Sequence, residues 1–214
     1  MAGLFLAGCA STLSGPREFS PASTPVMTGR WQELSHVRPA PWFHPLNLGA
    51  DALAWRLRTI DAATRTIDLE TFLWKTDPSG TRIAAHLLAA ADRGVRVRIL
   101  LDDSFTFQQD AAWRAFAEHP NIALRIYNPY RRRVGGATVR FLLNLGEFSR
   151  IDHRLHNKVL LVDGRVAIVG GRNHADEYFG HDPAFNFRDF DVLTLDGATQ
   201  EIAAHFNGFW NGPW

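Results

Sequence analysis

The spacing of apolar positions switches between helical and strand-like along residues 50 to 127. Leu53, Leu57 and Ile60 fall at helical spacing and predict a first helix from about Ala50. Thr66 to Trp74 alternates apolar and polar residues over a strand length and runs into Asp77-Pro78-Ser79-Gly80, a turn cluster that can open a helix. Ile83, Leu87, Leu88 and Ala91 mark the apolar face of that helix. Val95 to Leu101 predicts a second strand closing at Asp102-Asp103, Ala111 to Glu118 a further helix, and Ile122 to Tyr127 a third strand. Strands alternating with helices in this order imply a parallel sheet covered by helices. A helix is predicted around Val139 to Phe148. Two apolar runs then flank Asp163-Gly164, Lys158 to Val162 and Arg165 to Val169, and this hairpin signal predicts antiparallel pairing. A last strand over Phe190 to Leu195 and an amphipathic helix over Ala198 to Trp210 complete an α/β fold with a mixed sheet. No internal repeat is visible.

Composition agrees with one folded domain: 214 residues, 46% hydrophobic and 21% charged, which excludes a disordered chain. The 23 basic and 22 acidic residues nearly cancel, so overall charge gives no general case for nucleic acid. Residues 10 to 45, rich in Ser, Pro, Thr and Gly, read as a linker. Before them stands MAGLFLAGC, an apolar run too short to span a bilayer. Its Leu6-Ala7-Gly8-Cys9 resembles the lipobox of bacterial lipoproteins, whose cysteine is lipidated after signal cleavage. That resemblance divides the chain into a truncated signal at 1–9, a linker at 10–45 and a folded domain at 46–214. It also implies an extracytoplasmic position at the bacterial cell envelope on a lipid tether at Cys9. As the single cysteine, Cys9 forms no intramolecular disulfide.

The chemistry concentrates in RLHNKVLLVDGRVAIVGGRN. Residues two apart on a strand share a face, so His156 and Lys158 present an imidazole and an ammonium to one site. The antiparallel return brings Asn173 toward the same spot. Imidazole is a nucleophile near neutral pH and can form a phospho-histidine, while a lysine and an amide stabilise charge growing on phosphoryl oxygens. Such chemistry requires neither metal nor cofactor. Gly170 and Gly171 remove side chains where backbone approaches a phosphate or bends sharply. Asp163 sits where Asp-Gly turns ordinarily occur and fixes the hairpin.

The segment Leu155 to Asn173, with His156, Lys158, Asp163, Gly170, Gly171 and Asn173 at fixed intervals, resembles the phospholipase D superfamily. The resemblance implies a catalytic His156, phosphate binding by Lys158 and Asn173, and a mainly structural Asp163. Within Phe187-Arg188-Asp189-Phe190-Asp191-Val192 it implies a carboxylate that hydrogen-bonds the far nitrogen of His156, with Asp189 first and Asp191 its competitor. A wider likeness runs from about residue 46 to 212. It includes Gly170-Gly171-Arg172-Asn173, Asp176-Glu177-Tyr178-Phe179, Leu101-Asp102-Asp103, His119 to Ile122 with Tyr127-Asn128-Pro129, and the ending at Asn211. These look like the first half of bacterial proteins of the cardiolipin synthase C type. That implies phosphatidyl transfer between phospholipids, phosphatidylglycerol and a second phospholipid, at a bacterial membrane.

Proteins of that type carry the motif twice, and their two histidines share one site. Here it occurs once. The chain is therefore expected to be one repeat of a two-repeat fold, or to pair with a second copy as single-motif nucleases of the superfamily do. A hydrolytic phospholipase D or nuclease, and an inactive phosphate-binding fragment, stand as the alternatives. Arg131-Arg132-Arg133 with Arg140 and Arg150 could meet lipid headgroups or a nucleic-acid backbone, or be simply solvated. Trp42-Phe43 is a candidate membrane contact, and Glu177 either caps a helix or supports the site.

Overall fold

The computed structural model describes residues 42–106 and 109–213; Cys9, the signal stretch and the linker up to residue 41 lie outside them. Strands β1 (Trp42–Leu46), β2 (Thr66–Thr71), β3 (Arg96–Asp102), β4 (Ile122–Tyr127), β5 (Val159–Val162), β6 (Val166–Gly170) and β7 (Asp191–Leu195) form one sheet. Their order is β1-β7-β6-β5-β2-β3-β4. β2, β3 and β4 run parallel, joined through helices α2 (Pro78–Asp92) and α3 (Asp110–Ala117). Every other neighbouring pair is antiparallel, so the sheet is mixed, as the pattern predicts.

Each face of the sheet has its own core. Val97, Ile99 and Leu101 of β3 pack with Leu53, Leu57 and Ile60 of α1 (Gly49–Asp61) and with Ile83 and Leu87 of α2. Leu100, one residue out of phase, points the other way and packs with Phe206 and Trp210 of α7 (Thr199–Trp210). Burial on both faces explains why the parallel strands read as nearly continuous apolar runs.

Local chemistry sets the boundaries. Asp77 caps α2, accepting from the Gly80 amide at 2.9 Å, with Pro78 in the first turn. Asp163 and Gly164 take φ of 53° and 67°, the sign that a type I′ turn demands of both central residues. The Asp163 carboxylate accepts the amides of Thr64, Arg65 and Thr66 at 3.1, 2.8 and 3.0 Å and the Thr64 hydroxyl at 3.0 Å. It thereby ties the hairpin to the start of β2. Lys158 precedes β5 and Asp163 follows it, roughly 16 Å along the strand, so Asp163 acts on the fold from the far end.

Two expectations change. Trp42 to Pro45, placed in the linker by its composition, belongs with Leu46 to an edge strand paired with β7, and Pro45 is tolerated because an edge strand needs fewer ladder donors. The helix predicted over Val139 to Phe148 is broken into α4 (Ala137–Leu143), a 3-10 turn (Leu145–Glu147) and α5 (Phe148–Ile151). Asn144 makes the break: its side chain donates to the Arg132 and Arg140 carbonyls and accepts the Arg132 amide, competing with helical bonds. A one-turn helix, α6 (Asp176–Phe179), ends at Gly180 with φ of 82° and is too short to show a period.

Candidate active site

The C-terminal ends of β2, β3 and β4, the start of β5, the end of β6 and the start of β7 lie along one edge of the sheet. Register fixes this: Glu70 pairs with Val159, Val159 with Val169, and Gly170 with Asp191. His156 and Lys158, Gly170 to Asn173 and Asp189 therefore gather at one edge, where open α/β sheets bind ligands.

His156 is solvent-exposed, and its ring rests 4.9 Å from that of Phe72, just past β2. Lys158 is buried; its Nζ lies 3.1 Å from His156 Nδ1, donates to the His156 carbonyl at 2.6 Å, and sits 5.4 Å from the Phe72 ring centre. Burial lowers the Lys158 pKa to about 8, against a weaker opposite pull from the Asp189 and Asp102 carboxylates. The ammonium is thus present below about pH 8 and lost above it. Binding of tungstate, whose charge is constant over that range, should be flat below this point and weaken roughly tenfold per pH unit above it. Isothermal titration across pH 6 to 10 measures this; Lys158→Arg should abolish the break, and a break that survives the arginine would show that another group governs it. Asn173 is buried, and its side-chain oxygen accepts the Leu73 amide at 3.1 Å, which leaves its NH₂ as the end able to donate.

The tripeptide around His156 is held from two sides. Buried Asp102, at the end of β3, accepts the Leu155 amide at 2.8 Å and an Arg154 guanidinium N–H at 3.3 Å. On the C-terminal side of His156, the Asn157 amide donates to Glu70 Oε1 at 2.9 Å and lies 3.0 Å from His205 Nε2 on α7. Asn157 stands between His156 and Lys158 and by the pleat points away from both, so tethering it fixes their direction. Glu70 is fully buried, and desolvation raises its pKa, with the Asn157 bond and His205 acting the other way. His156, Asn157, Lys158, Glu201 and His205 line a cleft of about 510 Å³ with Val159, Val169 and Ile202.

Asp189 Oδ1 accepts the Phe190 amide at 2.7 Å, and His156 Nδ1 is met by Lys158. Asp191 is fully buried in an ion pair with Arg56 at 3.0 Å and Arg172 at 3.1 Å. Gly170 and Gly171 make room for these two acids. A Cβ at Gly170 would lie 2.1 Å from Asp191 Oδ1, and one at Gly171 2.0 Å from Asp189 Oδ1.

Arg172, the largest fully buried side chain, reaches the carbonyls of Leu46, Asn47, Tyr178 and Asp189, and so fastens β1 and the approach to β7 behind the site. Glu177 is buried and pairs with Lys75 at 2.6 Å. Among the five arginines considered for phosphate binding, Arg133 and Arg140 pair with Asp103, and Arg150 with Glu147. Asp102, Asn157, Glu70 and His205 were not anticipated as site residues; only the likeness of Leu101-Asp102-Asp103 gave a signal for any of them.

The site thus sets an exposed imidazole beside a buried lysine at the open edge of a mixed α/β sheet. The chain belongs to the family described as "Cardiolipin synthase, PLD-like domain", which it matches over residues 57–210. It is 41% identical over 166 residues to cardiolipin synthase C of Escherichia coli, covering 78% of this chain and 34% of that protein. The chain spans about a third of the length of such relatives. In fold it is similar to NucT from Helicobacter pylori, with a TM-score of 0.60, 14% identity, and 80% of this chain and 96% of that one covered. It is likewise similar to Nuc from Salmonella typhimurium, a phospholipase D family member, with a TM-score of 0.57, 19% identity, and 80% and 95% covered.

Proposed function

We propose that this chain is one catalytic half of a phosphatidyltransferase that makes cardiolipin through a phospho-histidine at His156. The observation that carries the reading is the His156–Lys158 contact at the open sheet edge, in a chain 41% identical over its matched length to a cardiolipin synthase. In this reaction His156 Nε2 attacks the phosphorus of one phosphatidylglycerol and the bond to the glycerol headgroup breaks. The leaving oxygen takes a proton from the histidine of a second motif, in a longer chain or a second copy. That histidine then removes a proton from the headgroup hydroxyl of another phospholipid, whose oxygen attacks phosphorus as the N–P bond breaks.

The Nδ1 to Nζ contact holds only one proton. A charged Lys158 donates to Nδ1 and leaves the proton of the neutral ring on Nε2, a form that can protonate but not attack. Attack requires the other tautomer. An anionic phosphate permits the change by drawing the ammonium onto its oxygens; Nε2 then gives its proton to water as Nδ1 takes one up, and the new Nδ1–H turns to a carboxylate, for which Asp189, close enough to act on Lys158, is the candidate.

Purified protein that includes the second motif, as a dimer or in a longer chain, should yield cardiolipin and glycerol from phosphatidylglycerol vesicles by mass spectrometry. Phosphatidic acid without cardiolipin would mean hydrolysis instead, and DNA cleavage with no action on lipid would overturn the lipid reading.

A further inference from the structure

The broken segment α4 to α5 is folded inside out. Arg140, Asn144 and Ile151 point inward and are buried, two of them polar, with Arg140 ion-paired to the buried Asp103 at 3.4 Å. The side chains left in solvent are Val139, Phe141, Leu142, Leu143, Leu145 and Phe148, of which Leu142 and Phe148 are 58% and 54% exposed. A surface helix of a self-contained domain shows the reverse arrangement, and a contiguous apolar face of this kind marks an interface. Residues 131 to 150 also carry five arginines against one carboxylate, Glu147, and that carboxylate is shared by Arg131 and Arg150. Arg131 and Arg132 stay exposed and are tied to the segment, Arg131 by its pair with Glu147 and Arg132 by its backbone bonds to the Asn144 side chain.

The segment is tied to the site. Asp103 adjoins Asp102, which holds the Leu155 amide, and Arg150 donates to the Pro129 carbonyl while Asn128 donates to the Arg150 and His153 carbonyls. The apolar face therefore stands beside the entry to His156.

We infer that this face docks on an anionic phospholipid surface and presents the His156 edge to the headgroups. Apolar side chains flanked by arginines match a bilayer interface: the former enter the boundary of the acyl region and the latter remain with anionic headgroups. Lipid as the occupant, in place of a protein, rests on the proposed reaction. Among the described residues no helix is long and apolar enough to cross a membrane, so the contact is interfacial.

The test uses the full chain with Cys9→Ser, so that no covalent lipid supplies the affinity, and co-sedimentation with vesicles of phosphatidylcholine alone or mixed equally with phosphatidylglycerol. Binding is expected only to the mixed vesicles, reduced about tenfold or more by Leu142→Ser with Phe148→Ser and by Arg131→Glu with Arg132→Glu. A Leu142→Trp variant should show a blue-shifted emission on the mixed vesicles. Equal thermal melts confirm that these exposed substitutions leave the fold intact. The inference is overturned if the chain ignores both vesicles, if the apolar double variant binds as the parent does, or if that variant only converts a dimer to a monomer in light scattering. Binding without cardiolipin formation would leave the docking surface standing and remove the proposed reaction.

Discussion

Asp191→Asn is expected to destabilise the domain by about 3–5 kcal/mol, roughly a fifth or more of the stability of an ordinary domain. The carboxylate is fully buried and neutralises two guanidinium groups that are themselves buried, Arg56 and Arg172. Asparagine preserves the shape and removes the charge, so two cations remain in the interior without a counter-ion. Solvent does not screen the loss, because the side-chain exposures are 4% for Arg56, 2% for Arg172 and 0% for Asp191. The urea midpoint measures it with the slope unchanged. A shift worth less than about 1 kcal/mol would mean that water or rearrangement compensates the pair and that this triad does not hold the fold.

His156→Ala should behave in the opposite way. The side chain is exposed and rests only against Phe72 and Lys158, so the melting temperature should barely move. Turnover of phosphatidylglycerol should fall by a factor on the order of 10⁴ to 10⁶, the usual cost of deleting a nucleophile. Reactions with phosphorus-labelled substrate, stopped in alkaline detergent, should also lose the protein-bound label that acid treatment releases from the parent protein. Label retained on the His156→Ala protein would place the covalent step on another residue.

Much of this architecture could be read from the chain because its signals are local. The helical spacing of Leu53, Leu57 and Ile60, the alternation after Thr66 and the Asp163-Gly164 turn each depend on residues within one element. The assembly of His156, Lys158 and Asn173 at one edge follows from the hairpin. What escaped depends on partners far along the chain. Asp189 and Asp191 look alike in sequence, and the difference is made by Arg56, 135 residues away, which claims Asp191. Arg172 was passed over because arginine is ordinarily a surface residue, whereas here five hydrogen-bonding partners repay its burial. The acids that crowd Gly170 and Gly171 lie about 20 residues further along, so a one-dimensional reading shows the need for glycine but not these neighbours.

The pairing of β1 with β7 has a consequence for how the chain acquires its shape during synthesis. Trp42 stands opposite Leu195, so the first described strand finds its neighbour only about 150 residues later. At ordinary ribosome speeds that interval is roughly 8 to 30 seconds, during which Trp42 and Phe43 have no sheet to join. Pro45 and the brevity of the strand make it a poor template for a neighbouring nascent chain during that wait. Closure of this edge is thus a late event, and the Arg172 bonds to the Leu46 and Asn47 carbonyls are the latch that completes it.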